Sequence, residues 1–456
     1  MSKASPLLDE EILQAIYRDA NLSKRLLELE NSCDIEDESE ILARLVNTSQ
    51  SKNEVLSSWV RYREGYSPAV VERIIQKFPI KGGEFLFDPM CGSGSTQVAA
   101  QKSNIPSGGT DISPYAVLVS KVKTTPLSKD DLESIRLFMA TFSDVENWPL
   151  PERSTTDSLL SIYFSENNFN SLLSIKEGIN SSNVIGERVK EFLLIALLAI
   201  VEDSSNRKKD GNGLATRSSK VTDVFETFQN QVHKMLLDLA VVDWHNVPSV
   251  TLRESALNID VSVPIASQTL GATLGAIIFS PPYANSFDYY ESYKLELLFG
   301  EFFRVDEMAD ERQKLIRSYR QMGKSDPVEH LTTVEYLIAE LMVRLPEKEA
   351  KTEIRDGRSR LLPNLLRGYF SDMRLFLQNS AKVMPEGSYM AIIVDQSAYL
   401  GVLIPTDLLL AEIAVEAGLK LEKLVICRRA KTSGQQLNLQ PALGLALRET
   451  AVILRR

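Results

Sequence analysis

The sequence predicts an α/β fold in which helices cover a doubly wound sheet. Three observations predict it. Residues 84–87 form a short apolar run that leads into a glycine-containing loop and then a helix, and a second strand ends at Asp111, which is the order of a βαβ unit. Apolar runs at 276–279 and 389–395 resume the strand pattern later in the chain. The sequence between these strands is mainly helical in pattern. One sheet built from distant parts of the chain is therefore expected.

The same patterns divide the chain into four segments. We expect an acidic helical extension, the first half of the sheet domain, a helical insert with a basic loop, and the second half of the sheet domain with a long insert of its own. In order these are residues 1–58, 59–127, 128–247 and 248–456, the last with its insert at 286–383. Three short stretches are expected to lack regular structure: an acidic break at 33–40, a turn at 106–109 and a loop at 204–213.

Composition excludes several classes of protein. Of 456 residues, 44% are hydrophobic and 25% are charged, which is typical of globular domains and not of disordered or fibrous chains. Three cysteines without a C-x-x-C pair, and only three histidines, argue against a disulfide framework or a metal site. The apolar run at 192–201 is too short to span a bilayer, and the first residues show no signal peptide. A cytoplasmic protein without membrane contact or bound metal is expected.

The acidity of the chain is unevenly distributed. The formal net charge is −10, yet residues 1–50 hold 11 acidic and 5 basic side chains and so account for −6 of it. The remaining residues are close to neutral. A local basic groove is therefore compatible with the total charge, because the field near a ligand is what steers binding.

The first motif with chemical content is DPMCGSG at 88–94. Its two glycines allow a tight strand-to-helix turn, but the third glycine of the dinucleotide fingerprint is replaced by Gln97, so phosphate binding is not favoured. Asp88 is suited to hold an ammonium group, and Asp111, 19 residues after Gly92, is suited to bind the two hydroxyls of a ribose. S-adenosylmethionine carries both groups. The structural alternative is a plain βα turn.

The second motif is SPPY at 280–283, directly after an apolar strand. Two prolines lack N–H groups and have restricted φ, so the loop presents carbonyl oxygens from a stiff frame. Ser280 adds a hydroxyl and Tyr283 a flat ring. Acceptors beside a ring suit an exocyclic amino group on a planar base. The structural alternative is a proline turn with a core tyrosine.

Together the two motifs resemble the family of amino-group DNA methyltransferases, which modify the N4 of cytosine or the N6 of adenine. The resemblance implies a Rossmann-like class I methyltransferase fold, S-adenosylmethionine as cofactor and double-stranded DNA as substrate. Tyr66-Ser-Pro68 resembles the segment that supports the methionine carboxylate in that family. Serine at position 280 is typical of the N4-cytosine branch, whereas N6-adenine members usually carry Asp or Asn there.

The resemblance also implies which residues form the site. The catalytic loop comprises Ser280, Pro281, Pro282 and Tyr283. The cofactor is expected to contact Tyr66, Ser67, Asp88, Pro89, Cys91, Gly92, Gly94, Ser95, Asp111 and Ile112. The exocyclic amine would bond to the Ser280 side chain and the Pro281 carbonyl, and Tyr283 would stack on the base after it leaves the duplex. Without a Pro-Cys nucleophile in such a loop, C5-cytosine methylation is disfavoured.

Three basic stretches are candidates for DNA contact, each with the alternative of an ordinary solvated loop. They contain Arg207, Lys208 and Lys209; Arg358 and Arg360; and Arg428, Arg429 and Lys431. We expect phosphate contacts from 204–220 and base reading from 286–383, the target-recognition insert. A cognate restriction endonuclease or another defence protein is a possible partner.

Four other functions remain open at this stage. N6-adenine methylation of DNA and N2-guanine methylation of RNA use related proline-rich loops, but Ser280 favours cytosine and no RNA-binding module is evident. A non-catalytic cofactor-binding protein that acts on DNA by occupancy is the rival from another class. A nicotinamide dehydrogenase is weakened by the missing third glycine.

Overall fold

The computed structural model describes residues 8–46, 54–62, 65–142, 148, 150–210, 213–242, 245–285, 287–319, 331–430 and 432–456. Its strands are β1 (Ile35–Asp37), β2 (Glu84–Asp88), β3 (Ser107–Asp111), β4 (Arg207–Asp210), β5 (Gly213–Thr216), β6 (Ser249–Arg253), β7 (Thr273–Phe279), β8 (Tyr389–Asp395), β9 (Ser397–Tyr399), β10 (Val402–Ile404), β11 (Lys420–Arg429) and β12 (Arg448–Arg455).

The helices occupy most of the remaining chain. They are α1 (Glu10–Ile16), α2 (Ala20–Ser32), α3 (Ser39–Leu42), α4 (Pro68–Lys77), α5 (Ser95–Lys102), α6 (Pro114–Thr124), α7 (Lys129–Ala140), α8 (Thr155–Leu160), α9 (Glu166–Ser181), α10 (Glu187–Ser204), α11 (Val224–Val241), α12 (Ile259–Leu270), α13 (Tyr289–Ser292), α14 (Lys294–Phe299), α15 (Met308–Arg312), α16 (Thr332–Thr352), α17 (Leu362–Val383), α18 (Thr406–Glu416), α19 (Gly434–Leu439) and α20 (Leu443–Ala446). None of the described helices is both long and apolar enough to cross a membrane.

Eight strands of the described chain form one sheet in the order β1-β11-β12-β8-β7-β2-β3-β6. Strand β12 runs antiparallel to both of its neighbours, and every other pair is parallel. From β2 the chain adds β3 and β6 on one side, then returns to place β7 and β8 on the other. The order of strands therefore reverses between β2 and β7, which is the point where doubly wound sheets bind ligands. The predicted fold class is confirmed.

Both faces of this sheet are buried, as the apolar runs predicted. Along β2, Phe85 and Phe87 join the larger hydrophobic cluster, whereas Leu86 joins a second cluster on the opposite face. The larger cluster includes residues of α2, α12, α17 and α18, and the opposite one includes residues of α4 and α5. Helix α17 lies within the predicted insert at 286–383, yet it packs on the sheet through contacts such as Phe376 against Phe279. The part of that insert outside the sheet layers therefore ends before Leu362.

A third hydrophobic cluster lies in the predicted helical insert. It joins α7, α9, α10 and α11 to Trp59 near the start of the sheet domain and to α14 in the second half. Lys209 on β4 contacts this region as well, since its ammonium lies 4.4 Å from the ring centre of Tyr293. The insert is thus packed against both halves of the chain that build the sheet.

Two of the stretches expected to be irregular are strands instead. Residues Ser107–Gly109 belong to β3, and their glycines are required by packing: a Cβ at Gly108 would lie 2.8 Å from the Phe87 ring, and one at Gly109 2.7 Å from the Gln97 side chain. The basic stretch at 204–213 was predicted as a loop, but β4 and β5 pair as a hairpin. Both errors arose because glycine was interpreted as a turn signal.

The acidic break at 33–40 is also wrong in part. Residues Ile35–Asp37 form β1, which extends the sheet by pairing parallel with β11. The acidic side chains of the stretch 33–40 are compensated by distant cations, since Glu36 pairs with Lys77 and Lys423, and Glu38 pairs with Arg73. The acidic N-terminal segment is therefore part of the sheet layer and does not form only a solvated face.

Candidate functional site

The two predicted loops meet at the switch point of the sheet. The DPMCGSG loop follows β2, the SPPY loop follows β7, and these parallel strands are neighbours. A single cavity is lined by residues of both loops. From the predicted set it is lined by Tyr66, Pro89, Cys91, Gly92, Ser95, Asp111, Ile112, Ser280 and Pro282. Residues that are about 190 positions apart in sequence therefore share one ligand-sized space.

The first loop is held in shape by its glycines and by Asp111. Gly94 has φ of +83°, and a Cβ there would lie 3.0 Å from the Ser120 backbone, so a side chain is excluded twice over. The Gly94 N–H donates to the Cys91 carbonyl at 2.8 Å. The Gly92 N–H donates to the Asp111 carboxylate at 2.9 Å. The loop and the end of β3 are thus locked together around the cavity.

Two carboxyl groups lie at this end of the sheet, the buried Asp88 and the half-buried Asp111, and only Asp111 lines the cavity. Burial raises the pKa of Asp111 to about 6, and its carboxylate also accepts the Ser113 N–H at 2.8 Å. Asp88 lies beneath the loop, where burial raises its pKa to about 7. Both acids are therefore costly to ionise without a cation nearby, which favours a positively charged ligand in the cavity.

Tyr66 connects Asp88 to the cavity. Its hydroxyl donates to the Asp88 carboxylate at 3.1 Å and also contacts the Thr96 hydroxyl, while Met90 N–H donates to the other carboxylate oxygen. Asp88 itself does not line the cavity, and its predicted contact with an ammonium group stays a prediction. Ser67 does not line the cavity either, since its side chain caps α4 and donates to Glu54. Gly94 does not line the cavity either.

The second loop presents Ser280 and Pro282 to the cavity. The Ser280 hydroxyl lies 3.3 Å from the Tyr283 hydroxyl, which donates to the Glu449 carboxylate at 3.1 Å. Pro281 is buried, and Tyr283 is half-buried behind the loop. In this arrangement the tyrosine ring supports the serine and does not itself line the cavity.

Several residues that line the cavity were not predicted. Among them are Tyr62, Tyr289, Tyr290, Tyr293, Lys314 and Ile316. Tyr62 and Tyr293 stack with ring centres 4.9 Å apart, and the Tyr62 ring lies against Gly92. The aromatic character of 287–290 was visible in the sequence. The position of Tyr62 could not be predicted from the sequence, because it depends on stacking with Tyr293, which directly precedes α14 far along the chain.

The structure contradicts the prediction that Lys209 contacts phosphate. Its side chain is 2% exposed and pairs with Glu296 and Glu202. A buried, doubly paired ammonium has no route to DNA. Arg428 is likewise engaged, with Glu449 and Asp395, and Arg207 bonds to Thr216 and lies over the Tyr163 ring.

The other predicted cations differ in their accessibility. Lys208, Arg358, Arg360 and Arg429 are exposed, although Arg360 pairs with Glu349. Lys431 lies outside the described residues. Among the residues that the structure describes, no cluster of His, Cys, Asp and Glu is arranged to hold a metal ion.

A doubly wound sheet with both loops at its switch point is a Rossmann-like methyltransferase fold. The chain is similar over most of its length to type II methyltransferases. It is 26% identical over 443 residues to type II methyltransferase M.BsoBI of Geobacillus stearothermophilus, covering 86% of this chain and 84% of the relative. It is 24% identical to M.AvaI of Anabaena variabilis, with 86% and 85% covered, and 24% identical to M.MvaI of Kocuria varians, with 72% and 73% covered.

No family model matches the chain. Among solved structures, rRNA methyltransferase aviRa from Streptomyces viridochromogenes aligns over 90% of this chain and 92% of its own. The identity is 8% and the TM-score 0.29, which is too low to support an argument about fold or function.

Proposed function

We propose that this chain is a site-specific DNA methyltransferase that transfers a methyl group from S-adenosylmethionine to the exocyclic N4 of cytosine. One observation carries the proposal: the glycine loop after β2 and the SPPY loop after β7 line the same cavity. A cofactor held by the first loop would lie directly beside a base held by the second. The type II methyltransferase relatives support the same class of reaction.

The cavity fits the proposed cofactor. Asp111 at the end of β3 presents a carboxylate to bind ribose hydroxyls, and Gly92 lines the cavity without a side chain, which allows close backbone approach. Tyr62, Tyr289 and Tyr293 supply flat apolar walls. When bound, S-adenosylmethionine supplies an electrophilic methyl group on a sulfonium. The high pKa values of Asp88 and Asp111 mean that its positive charge would favour their ionised forms.

The SPPY loop would prepare the amine for attack. The lone pair of an exocyclic amine is delocalised into the ring, so the amine is a poor nucleophile. Hydrogen bonds from its N–H groups to the Ser280 oxygen and the Pro281 carbonyl would concentrate electron density on nitrogen. Catalysis would then rest on positioning and polarisation. The nitrogen would form a bond to the methyl carbon as the sulfonium S–C bond breaks, the electron pair of that bond would stay on the thioether sulfur, and the nitrogen would then release one N–H proton to solvent.

Extrusion of the base from duplex DNA requires contacts that repay a cost of roughly a few kcal/mol. Lys208 and Arg358 are exposed and remain the candidates for phosphate contact. Because α17 belongs to the sheet layers, base reading is assigned to the part of the insert before it, up to residue 361. We also propose that a cognate restriction endonuclease accompanies this enzyme.

The decisive experiment incubates the purified protein with S-adenosylmethionine and unmethylated genomic DNA, and then identifies methylated nucleosides by mass. A parallel reaction contains total RNA. We expect N4-methylcytosine from DNA and no product from RNA. N6-methyladenine would keep the site and overturn the inference from Ser280, and product only from RNA would overturn the DNA assignment. Cofactor binding without product on either substrate would favour a non-catalytic protein.

A further inference from the structure

A partly buried chain of hydrogen bonds leads from Ser280 to the buried carboxylate of Glu449 on β12. Ser280 bonds to Tyr283 at 3.3 Å, and Tyr283 bonds to Glu449 at 3.1 Å. Glu449 is the second residue of β12, and its side chain is 2% exposed. Its other carboxylate oxygen pairs with Arg428 on β11, which also reaches Asp395 at the end of β8 at 3.4 Å. Three strands thus converge behind the SPPY loop.

When Glu449 is ionised, it can only accept a hydrogen bond from Tyr283, and this fixes the direction of every hydrogen bond in the chain. Burial raises the pKa of its carboxyl, but the guanidinium of Arg428 lies on it and favours the ionised form. An ionised carboxylate only accepts hydrogen bonds, so the single proton of the Tyr283 hydroxyl must point at Glu449. The Tyr283 oxygen can then only accept from Ser280. The Ser280 hydroxyl then donates its proton to the Tyr283 oxygen, and the lone pairs of the serine oxygen are left to accept hydrogen bonds on the side of the cavity.

We propose that Glu449 is a positioning residue that sets the direction of this chain, so that Ser280 presents an acceptor and not a donor to the exocyclic amine of the target base. This inference rests on the proposed function, because the amine is its ligand. Glu449 does not touch the base itself. It fixes the Tyr283 ring and, through the Tyr283 hydroxyl, the rotation of the serine hydroxyl.

Glu449→Gln tests the proposal because it keeps the shape of the side chain and changes its hydrogen-bonding character. An amide can donate to Tyr283 and so permit the reverse direction, in which Ser280 becomes a donor. Loss of a hydrogen bond to a charged group corresponds to a fall in kcat of about 10- to 150-fold. We expect the KM for DNA and the equilibrium affinity for S-adenosylmethionine to change by less than about threefold, because the substitution touches neither ligand.

Tyr283→Phe removes the middle of the chain and provides the discriminating comparison. If Glu449 acts through the tyrosine hydroxyl, Glu449→Gln will have no further effect on kcat in the Tyr283→Phe background. The matched control is Glu422→Gln. Glu422 pairs with Arg455 across the same two strands, β11 and β12, but at the opposite end from the loop. That variant is expected to retain the wild-type kcat.

The rates, the cofactor affinity and the thermal midpoint are measured for all four variants, including the double one. The proposal is supported if Glu449→Gln lowers kcat in the wild-type background but the double variant has the same kcat as Tyr283→Phe alone. A wild-type kcat in Glu449→Gln, or losses that multiply in the double variant, would overturn it. If Glu449→Gln does not fold, a wild-type kcat in Tyr283→Phe overturns it equally. No methyl transfer by the wild type would instead reject the proposed function, and this inference with it.

Discussion

Replacing Glu30 by alanine is expected to lower the free energy of unfolding by about 3 kcal/mol. Glu30 on α2 bonds through both carboxylate oxygens to Arg448 at 2.6 and 2.7 Å, and both side chains are fully buried. The substitution leaves two nitrogens of the buried Arg448 guanidinium without their carboxylate partner. The expected loss lies near the lower end for a broken buried pair, because Asp407 still holds the third nitrogen of Arg448 at 2.6 Å.

The matched control for this prediction is Glu28→Ala on the same helix. Glu28 is exposed and pairs loosely with Lys24 at 3.9 Å, so its loss should change stability by less than about 0.5 kcal/mol. Urea titration followed by circular dichroism measures both variants. Equal midpoints for the two would show that the N-terminal helices are dispensable for the domain, contrary to the packing of α2 and β1 described above.

Ser280→Ala is expected to lower the rate of methyl transfer by about 10²- to 10³-fold, the usual effect of removing one oriented polar group from an active site. The serine lines the cavity and directly follows β7, the strand that places it there. Cofactor affinity should change by less than about threefold, because none of the contacts proposed for S-adenosylmethionine comes from Ser280. Single-turnover rates and equilibrium dialysis separate the two effects.

Ser388→Ala is the control for that substitution. Ser388 directly precedes β8, at the amino-terminal end of that strand and so at the opposite end of the sheet from the SPPY loop, and its hydroxyl donates to the Pro385 carbonyl at 2.7 Å. The rate of this variant should match that of the wild type. A Ser280→Ala enzyme as fast as the wild type would remove Ser280 from the chemistry and would leave the SPPY loop as a structural turn.

The sheet could be predicted from sequence where burial acts on both faces. Strands β2, β7 and β8 are continuous apolar runs, because helices cover them on each side, and such runs are visible without any knowledge of partners. Strand β1 could not be found in this way. Its three residues include Glu36 and Asp37, and it exists because β11, some 390 positions later, offers an edge to pair with and Lys423 to compensate Glu36.

The candidate site shows the same division. Both loops could be placed at the carboxyl ends of strands, and the structure brings them to one cavity. The burial of Lys209 was not foreseeable, because its partner Glu296 lies on α14 and local sequence shows only a basic run. The supporting contacts of Asp88 and Tyr283 could not be predicted for a related reason. Each bonds to a residue distant in sequence, Asp88 to Tyr66 and Tyr283 to Glu449, and local sequence does not reveal these partners.

The most direct test of the central claim is a crystal structure of the protein with sinefungin, an unreactive analogue of S-adenosylmethionine. The claim is that both loops serve one cavity in which cofactor and base meet. It predicts the ribose of the analogue at Asp111 and the amine that replaces the transferred methyl group facing Ser280. An analogue bound outside this cavity, or bound with that amine directed away from the SPPY loop, would contradict it.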